Sequence, residues 1–312
     1  MTAALILAAG SLTEGGKYNP TEKIGDVTPI QRLVSAFEQA GVERTVIITG
    51  YNAEHVERHS SKYGAIFLRN NAYETSDMLS SVKIGLEYLK GKAARVFITP
   101  ADVPFFSVNT LRTMMSNESD NAQVLMPVCN SIIGHPLLVS ADTFDTIMEY
   151  DGSNGLQGIL SSRALTRKFV EVADDGVLFD FSDNTRLAEL LSTFPRPKIK
   201  AGAKLWLAGN NAFFGPGTYR LLEITLETGS LKTASRQIGI SYGKARSVIA
   251  NSEKALGYQI VASQTGGKNG GRSEVTARGL ELMRRYAAFT ADCNESIREA
   301  FERHFGDAKD LW

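Results

Sequence analysis

Six residues near the start of the chain, Leu5-Ile6-Leu7-Ala8-Ala9-Gly10, constrain the fold more than any other stretch. A short apolar run without alternation reads as a strand buried on both faces, as in a parallel sheet between layers of helices. Ala-Ala-Gly ends it where the backbone can bend tightly. The loop that follows, residues 11–20, contains Gly15-Gly16, so its main-chain N–H groups can close on an anionic ligand. An ordinary strand-to-helix turn explains the same residues.

The pattern then repeats. Helical periodicity over residues 30–40 stops at Gly41, and residues 45–49 read as a second buried strand leaving through Gly50-Tyr51-Asn52. A helix over 53–60, a strand over 65–68, a helix over 79–89 and a strand over 95–99 follow, the last ending at Pro100-Ala101-Asp102-Val103-Pro104. Such alternation predicts an α/β fold: a doubly wound, Rossmann-like, mostly parallel sheet with its ligand crevice at the strand C-termini, where Gly10, Gly50 and Asp102 all fall. A carboxylate at a strand end beside a phosphate loop suits Mg²⁺ bridging protein and nucleotide, although a turn or helix-cap role is equally compatible with Asp102. His55 and His59 have helical i, i+4 spacing, but Glu57 is misplaced for an H-E-x-x-H site and no third ligand is apparent, so they read as a solvated helix face.

Charge separates the two halves of the 312-residue chain. The 34 basic and 34 acidic side chains cancel. Yet residues 198–290 carry 14 basic and 5 acidic side chains, a block whose expected partner is a polyanion. Two widely separated cysteines, Cys129 and Cys293, no signal-like N-terminus and no apolar run of membrane-spanning length predict a cytoplasmic protein without disulfides or membrane attachment.

Several motifs in the first half carry a resemblance. Leu7-Ala8-Ala9-Gly10, Gly16, Pro20, Gly25, Thr49-Gly50-Tyr51, Asn71, Met78 with Ser80-Ser81, Pro100-Ala101-Asp102-Val103-Pro104, Gly134-His135-Pro136 and residues 152–160 resemble, in order and spacing, the molybdenum cofactor nucleotidyltransferases, the MobA-like enzymes. These cytidylyl- and guanylyltransferases join a nucleotide to molybdopterin with Mg²⁺. The resemblance spans roughly the first 190 residues. It implies a ligand site at Ala8, Ala9, Gly10, Ser11, Gly16, Ser80, Ser81 and His135, and Mg²⁺ at Asp102 with Asp180 or Asp183.

The departures from that family bear on chemistry. Its loop places Arg where this chain has Glu14 and Lys where it has Asn19, and a Gly before Met becomes Asp77. The late D-x-D-T metal motif is altered to Asp180-Phe181-Ser182-Asp183. Losing one oxyanion-type donor costs about 2.7–4 kcal/mol in well-studied enzymes, so losing two cations and gaining two acids predicts impaired transfer. Lys17 and Lys23 flank the altered positions and can partly replace the lost charge as catalytic cations alongside Asp102.

A helix over 185–191 and a Pro-bearing basic linker over 194–203 separate a first domain, 1–193, from a second, 204–290, with a helical tail over 291–312. In the second domain, a hairpin around Gly209-Asn210-Asn211 and a helix through Leu226 lead to a helix-turn-helix pattern: helix 231–238, turn Gly239-Ile240, helix 241–256. Ala234, Ile238, Ile240, Ala245 and Val248 can fill the wedge between the helices. A hairpin wing follows, with Lys268 and Arg272 at a Gly-rich tip. Trp206-Leu207-Ala208-Gly209, Gly215-Pro216-Gly217, Leu221-Leu222-Glu223, Thr228-Gly229-Ser230, Gly239-Ile240-Ser241-Tyr242 and Gly266-Gly267-Lys268 resemble the winged helix-turn-helix domain of the molybdate-responsive, ModE-type regulators, which is related to the LysR-type domain. The resemblance implies contact with double-stranded DNA through Lys232, Arg236, Ser241, Tyr242, Lys244, Arg246, Ser247, Lys268 and Arg272. Apolar residues along the last helix suit pairing in a homodimer, or packing back on its own domain.

Three functions follow as expectations: a DNA-binding regulator of molybdenum metabolism sensing a nucleotide or molybdopterin-related ligand with a catalytically impaired domain; an active transferase that regulates its own pathway; or a first domain serving only as a structural platform.

Overall fold

The computed structural model describes residues 1–10, 19–24, 27–117, 122–179, 201–264 and 272–305. The chain divides into two compact units, Met1–Phe194 and Pro195–Trp312. The expected helix over 185–191 lies outside the described residues.

In the first unit, strand β1 (Thr2–Ala8) is the hub. Its residues Ala3 to Ile6 are wholly buried, which requires cover on both faces. It pairs in parallel with β2 (Arg44–Thr49) on one side and β4 (Arg95–Pro100) on the other, Leu5 lying between Val46 and Ile98. β3 (Ile66–Arg69) continues the parallel ladder beyond β2. Past β4 the direction reverses: β7 (Leu137–Ser140) is antiparallel to both β4 and β5 (Val124–Cys129). β6 (Ile132–Ile133) and β8 (Arg167–Glu171) also pair with β5, giving the order β3-β2-β1-β4-β7-β5-β6 with β8 alongside β5. The sheet is therefore mixed, with a parallel half that carries the first four strands.

The expected first strand ended at Gly10, whereas the ladder runs from Thr2 to Ala8. Past Ala8 the Ala9 carbonyl still accepts from the Tyr51 N–H at 3.0 Å, in register with the ladder, before the chain turns away.

Helices α1 (Pro29–Ala40), α2 (Ala53–Ser60), α3 (Met78–Leu89) and α4 (Val108–Ser116) follow β1 to β4 in turn. Sequence chemistry fixes their ends. The Thr28 hydroxyl caps α1 by accepting from the Gln31 N–H, Pro29 occupies the first turn, and Gly41 closes the helix at φ 93°. Under α1, Phe37 packs against Phe97 and Phe106, each pair with ring centroids 5.6 Å apart.

α3 lies so close to β1 that a Cβ on Gly85 would stand 2.2 Å from Leu5 Cδ1. Gly85→Ala should lower the stability of the first unit by about 1–3 kcal/mol, read from the denaturant midpoint, despite alanine's better helix propensity. Adding Leu5→Ala should cost less than the sum of the two single changes.

The second unit is built from helices Pro216–Thr228, Leu231–Gln237, Tyr242–Leu256 and Ala277–Phe305, with hairpins Leu207–Ala208/Ala212–Phe214 and Val261–Gln264/Arg272–Val275. Its core holds Leu221, Leu222, Ile224, Ala234, Ala245 and Ile249, so the alanines expected in the wedge are fully buried there. Ile238, Ile240 and Val248 are partly covered. Tyr286 of the last helix meets Phe214 edge to face and Tyr219 at a tilt, and donates to the Leu205 carbonyl at 2.9 Å. The second hairpin's first strand starts at Val261. The Glu253 carboxylate takes the N–H groups of Ile260 and Val261, at 2.9 and 3.1 Å, and holds the preceding residues in a loop. No helix among the described residues is long and apolar enough to cross a membrane.

Candidate functional site

The C-terminal ends of β1, β2 and β4 enclose a cavity of about 500 Å³. Main-chain bonds hold these ends together: Ala101 N–H to the Leu7 carbonyl at 2.9 Å, and Asn70 N–H to the Thr49 carbonyl at 2.8 Å. A side chain at Gly50 has no room, because its Cβ would fall 2.6 Å from both the Ala9 carbonyl oxygen and Tyr73 Cβ.

Ala8 at the end of β1 and Ala9 and Gly10 just beyond it line this cavity, with Ser81 from α3 and half-buried Asp102 just past β4. Asp77 is also in the wall, capping α3 by accepting from the Ser80 N–H and hydroxyl, both at 3.0 Å. Its charge thus rests on the positive end of a helix. Ser80 is turned to that cap and does not line the cavity. His135 lies elsewhere too, on the turn between β6 and β7, with its N–H on the Val177 carbonyl at 2.8 Å. Lys23 is exposed and outside the wall. Ser11, Glu14, Gly16, Lys17, Asp180 and Asp183 lie outside the described residues.

Some wall residues were not singled out from the sequence. Asn70, 3% exposed, donates to Ser76 Oγ at 2.9 Å and to Ser81 Oγ at 3.1 Å while its Oδ1 accepts from Ala72 N–H, so it shapes the loop that forms one wall. The neighbouring Asn71, which carried the family motif, is exposed. Asn directly after a strand is an Asx-turn signal, and it was available at position 70. Tyr51 and Tyr73 meet edge to face at the rim, 6.4 Å between centroids. The wall's ionisable groups are acidic: Glu22, Asp77 and Asp102, with no Lys or Arg among the described lining residues.

Helix α2 proves to be more than a solvated face. His55 Nε2 lies 3.0 Å from Thr21 Oγ1, and His59 Nε2 lies 3.2 Å from Thr28 Oγ1, so both rings tie the segment leading from the cavity into α1. Burial, and then Lys62 and His55, hold the His59 pKa below its usual 6.5. Asn19 stands in the wall with its Oδ1 accepting from Thr21 N–H at 3.0 Å and Thr21 Oγ1 at 2.7 Å.

In the second unit, Lys232, Arg236, Lys244, Arg246 and Ser247 are all exposed on the helices Leu231–Gln237 and Tyr242–Leu256, and Tyr242 is 45% exposed. Ser241 caps the second of these helices, its Oγ accepting from the Lys244 N–H at 3.2 Å. Arg272 pairs with Glu274 at 3.1 Å, which offsets the charge expected of the wing. Lys268 lies outside the described residues.

A cavity at the ends of parallel strands, with a strand-end carboxylate in its wall, defines a nucleotidyltransferase-like α/β unit. A nucleotidyl transferase from Methanothermobacter thermautotroptrophicus matches this fold over 62% of the chain and 99% of its own, with a TM-score of 0.53 and 22% identity. The MobA-like NTP transferase domain matches residues 4–168, and the chain belongs to that family. The molybdenum cofactor cytidylyltransferase of Escherichia coli is 30% identical over 98 residues, covering 31% of this chain and 48% of that protein. The bifunctional protein GlmU of Staphylococcus carnosus is 26% identical over 141 residues, covering 44% and 30%. The chain thus spans about a third to a half of the length of these curated relatives.

Because the neutral His59 ring is favoured in the folded state, the unfolded chain binds more protons below pH 6.5, and stability should fall as pH drops through and below that value. In urea titrations across that range, His59→Gln should have a shallower pH dependence than the wild type. Equal slopes would remove His59 from the effect.

Proposed function

We propose that this chain is a DNA-binding regulator of molybdenum metabolism, whose nucleotidyltransferase-like unit binds a nucleotide or molybdopterin-related molecule with little or no transfer activity. The division of charge carries this reading: an acidic cavity wall in the first unit and exposed Lys232, Arg236, Lys244 and Arg246 in the second. A triphosphate approaching Glu22, Asp77 and Asp102 meets repulsion where transfer chemistry requires cations. Asp102 fits one ligand of a hard, oxygen-seeking cation, and Mg²⁺ commonly takes one or two carboxylates with the remaining positions on phosphate and water. Among the described residues no three His, Cys, Asp or Glu side chains gather as a metal-binding group. The Escherichia coli relative is a molybdenum cofactor cytidylyltransferase, which supports a cytidine or molybdopterin ligand.

For the second unit, two helices joined by a short turn and followed by a two-stranded ribbon support a winged helix-turn-helix of the ModE type, with Tyr242–Leu256 as the helix that enters the major groove. Two copies, pairing along the last helix, would suit a two-fold operator.

A second reading, an active cytidylyl- or guanylyltransferase, is favoured by Asp102 at the end of β4. Pyrophosphate release from CTP or GTP with molybdopterin, abolished by Asp102→Ala, would establish it. The regulator reading expects turnover near background together with a thermal shift on adding ligand. Fluorescence anisotropy with duplex DNA should show affinity falling steeply with salt. Lys244→Ala and Arg246→Ala should each reduce the log–log salt slope by about 0.9 if they contact phosphate. Salt-independent or absent duplex binding would sink the proposal.

A further inference from the structure

Three side chains link the outside of helix α2 to the cavity wall. The main-chain N–H of Thr21 can only donate, so the Asn19 atom that receives it is the carboxamide oxygen. The same oxygen receives the Thr21 hydroxyl proton at 2.7 Å. With its proton so engaged, Thr21 Oγ1 faces His55 Nε2, 3.0 Å away, as an acceptor, which makes Nε2–H the donor. Direction is therefore determined along the whole relay, from His55 to Thr21 to Asn19. The Asn19 oxygen is occupied by two donors from Thr21, and among the described residues its NH₂ group remains as the part available to a ligand in the cavity that Asn19 lines.

We propose that His55 is a positioning residue of this cavity: acting through Thr21, it fixes Asn19 as an uncharged double hydrogen-bond donor, and the cavity thereby favours a nucleoside or nucleoside monophosphate over a triphosphate. The ligand class rests on the nucleotide reading given above. An amide donor satisfies a carbonyl or single phosphate oxygen but does not neutralise the several charges of a triphosphate. Glu22 and Asp102 in the same wall add to that discrimination.

The test uses the full-length protein with CMP and CTP as probes in titration calorimetry. Wild type should bind CMP at least as tightly as CTP. Thr21→Val and His55→Ala should each weaken CMP binding about 3- to 10-fold, the double variant should be no weaker than the worse single one, and His55→Gln, whose amide also donates, should restore affinity. Asn19→Lys should shift preference toward CTP by roughly tenfold or more. His55→Ala binding CMP like wild type, or additive losses in the double variant, would overturn the relay. A ligand-free readout separates this from the nucleotide reading. The Asn19 side-chain NH₂ resonances, identified by their loss in Asn19→Asp, should move in Thr21→Val and His55→Ala and stay in place in His55→Gln. Were wild type to bind neither nucleotide, the nucleotide reading and ligand class would fall, and these resonances would still decide whether His55 positions Asn19. Movement in Thr21→Val but not in His55→Ala would remove His55 from the relay.

Discussion

Everything in the first unit depends on β1 being buried from both sides. Its pairing with β2 and β4 aligns three strand ends at one edge, and the bond from Ala101 to Leu7 holds two of them there. Close packing of α3 on Leu5 leaves no space for a side chain at Gly85, so helix and strand locate each other sterically as well as by apolar burial. The cavity is a by-product of that alignment: where β1, β2 and β4 stop, main chain gives way to loops, and the loops face one another.

What those loops offer differs from what the scaffold is used for in nucleotidyl transfer. Asp77 is stabilised by the α3 terminus, where Ser80 supplies two bonds to its carboxylate, so a negative charge in the wall is held by hydrogen bonds at a helix N-terminus. Asn70 and Gly50 serve shape rather than charge. One is nearly sealed among Ser76 and Ser81, and the other lets Tyr73 lie against the end of β2. Among the described residues the wall combines amides, aromatic rims and carboxylates.

Much of this was legible in the chain itself, because the signals were local. Helix α2 was expected over 53–60 and observed over Ala53–Ser60, and α1 stops at Gly41 as its pattern required. The parallel half of the sheet followed from the alternation of strands and helices. Reversal at β7 did not, since strand direction past β4 depends on the path of the intervening chain and leaves no trace in residue periodicity. In the site, glycines and strand-end carboxylates announced themselves, whereas Asn70 and the histidines of α2 acquire meaning only through partners 6 to 34 residues away. His55 and His59 read from spacing alone as a solvated helix face, yet each turns to a threonine across a fold that spacing does not describe.

The reversed strand has an electrostatic consequence. A parallel strand beside β4 would be followed by a crossover helix beginning at the cavity edge, bringing the positive end of its dipole toward any bound anion. β7 instead begins at that edge, with Leu137 opposite Ile98, and is reached through the Gly134-His135-Pro136 turn. One side of the rim is thus without the inward-directed field that a crossover would supply. Chain direction in a single strand thus acts on the potential there alongside the side chains that line it.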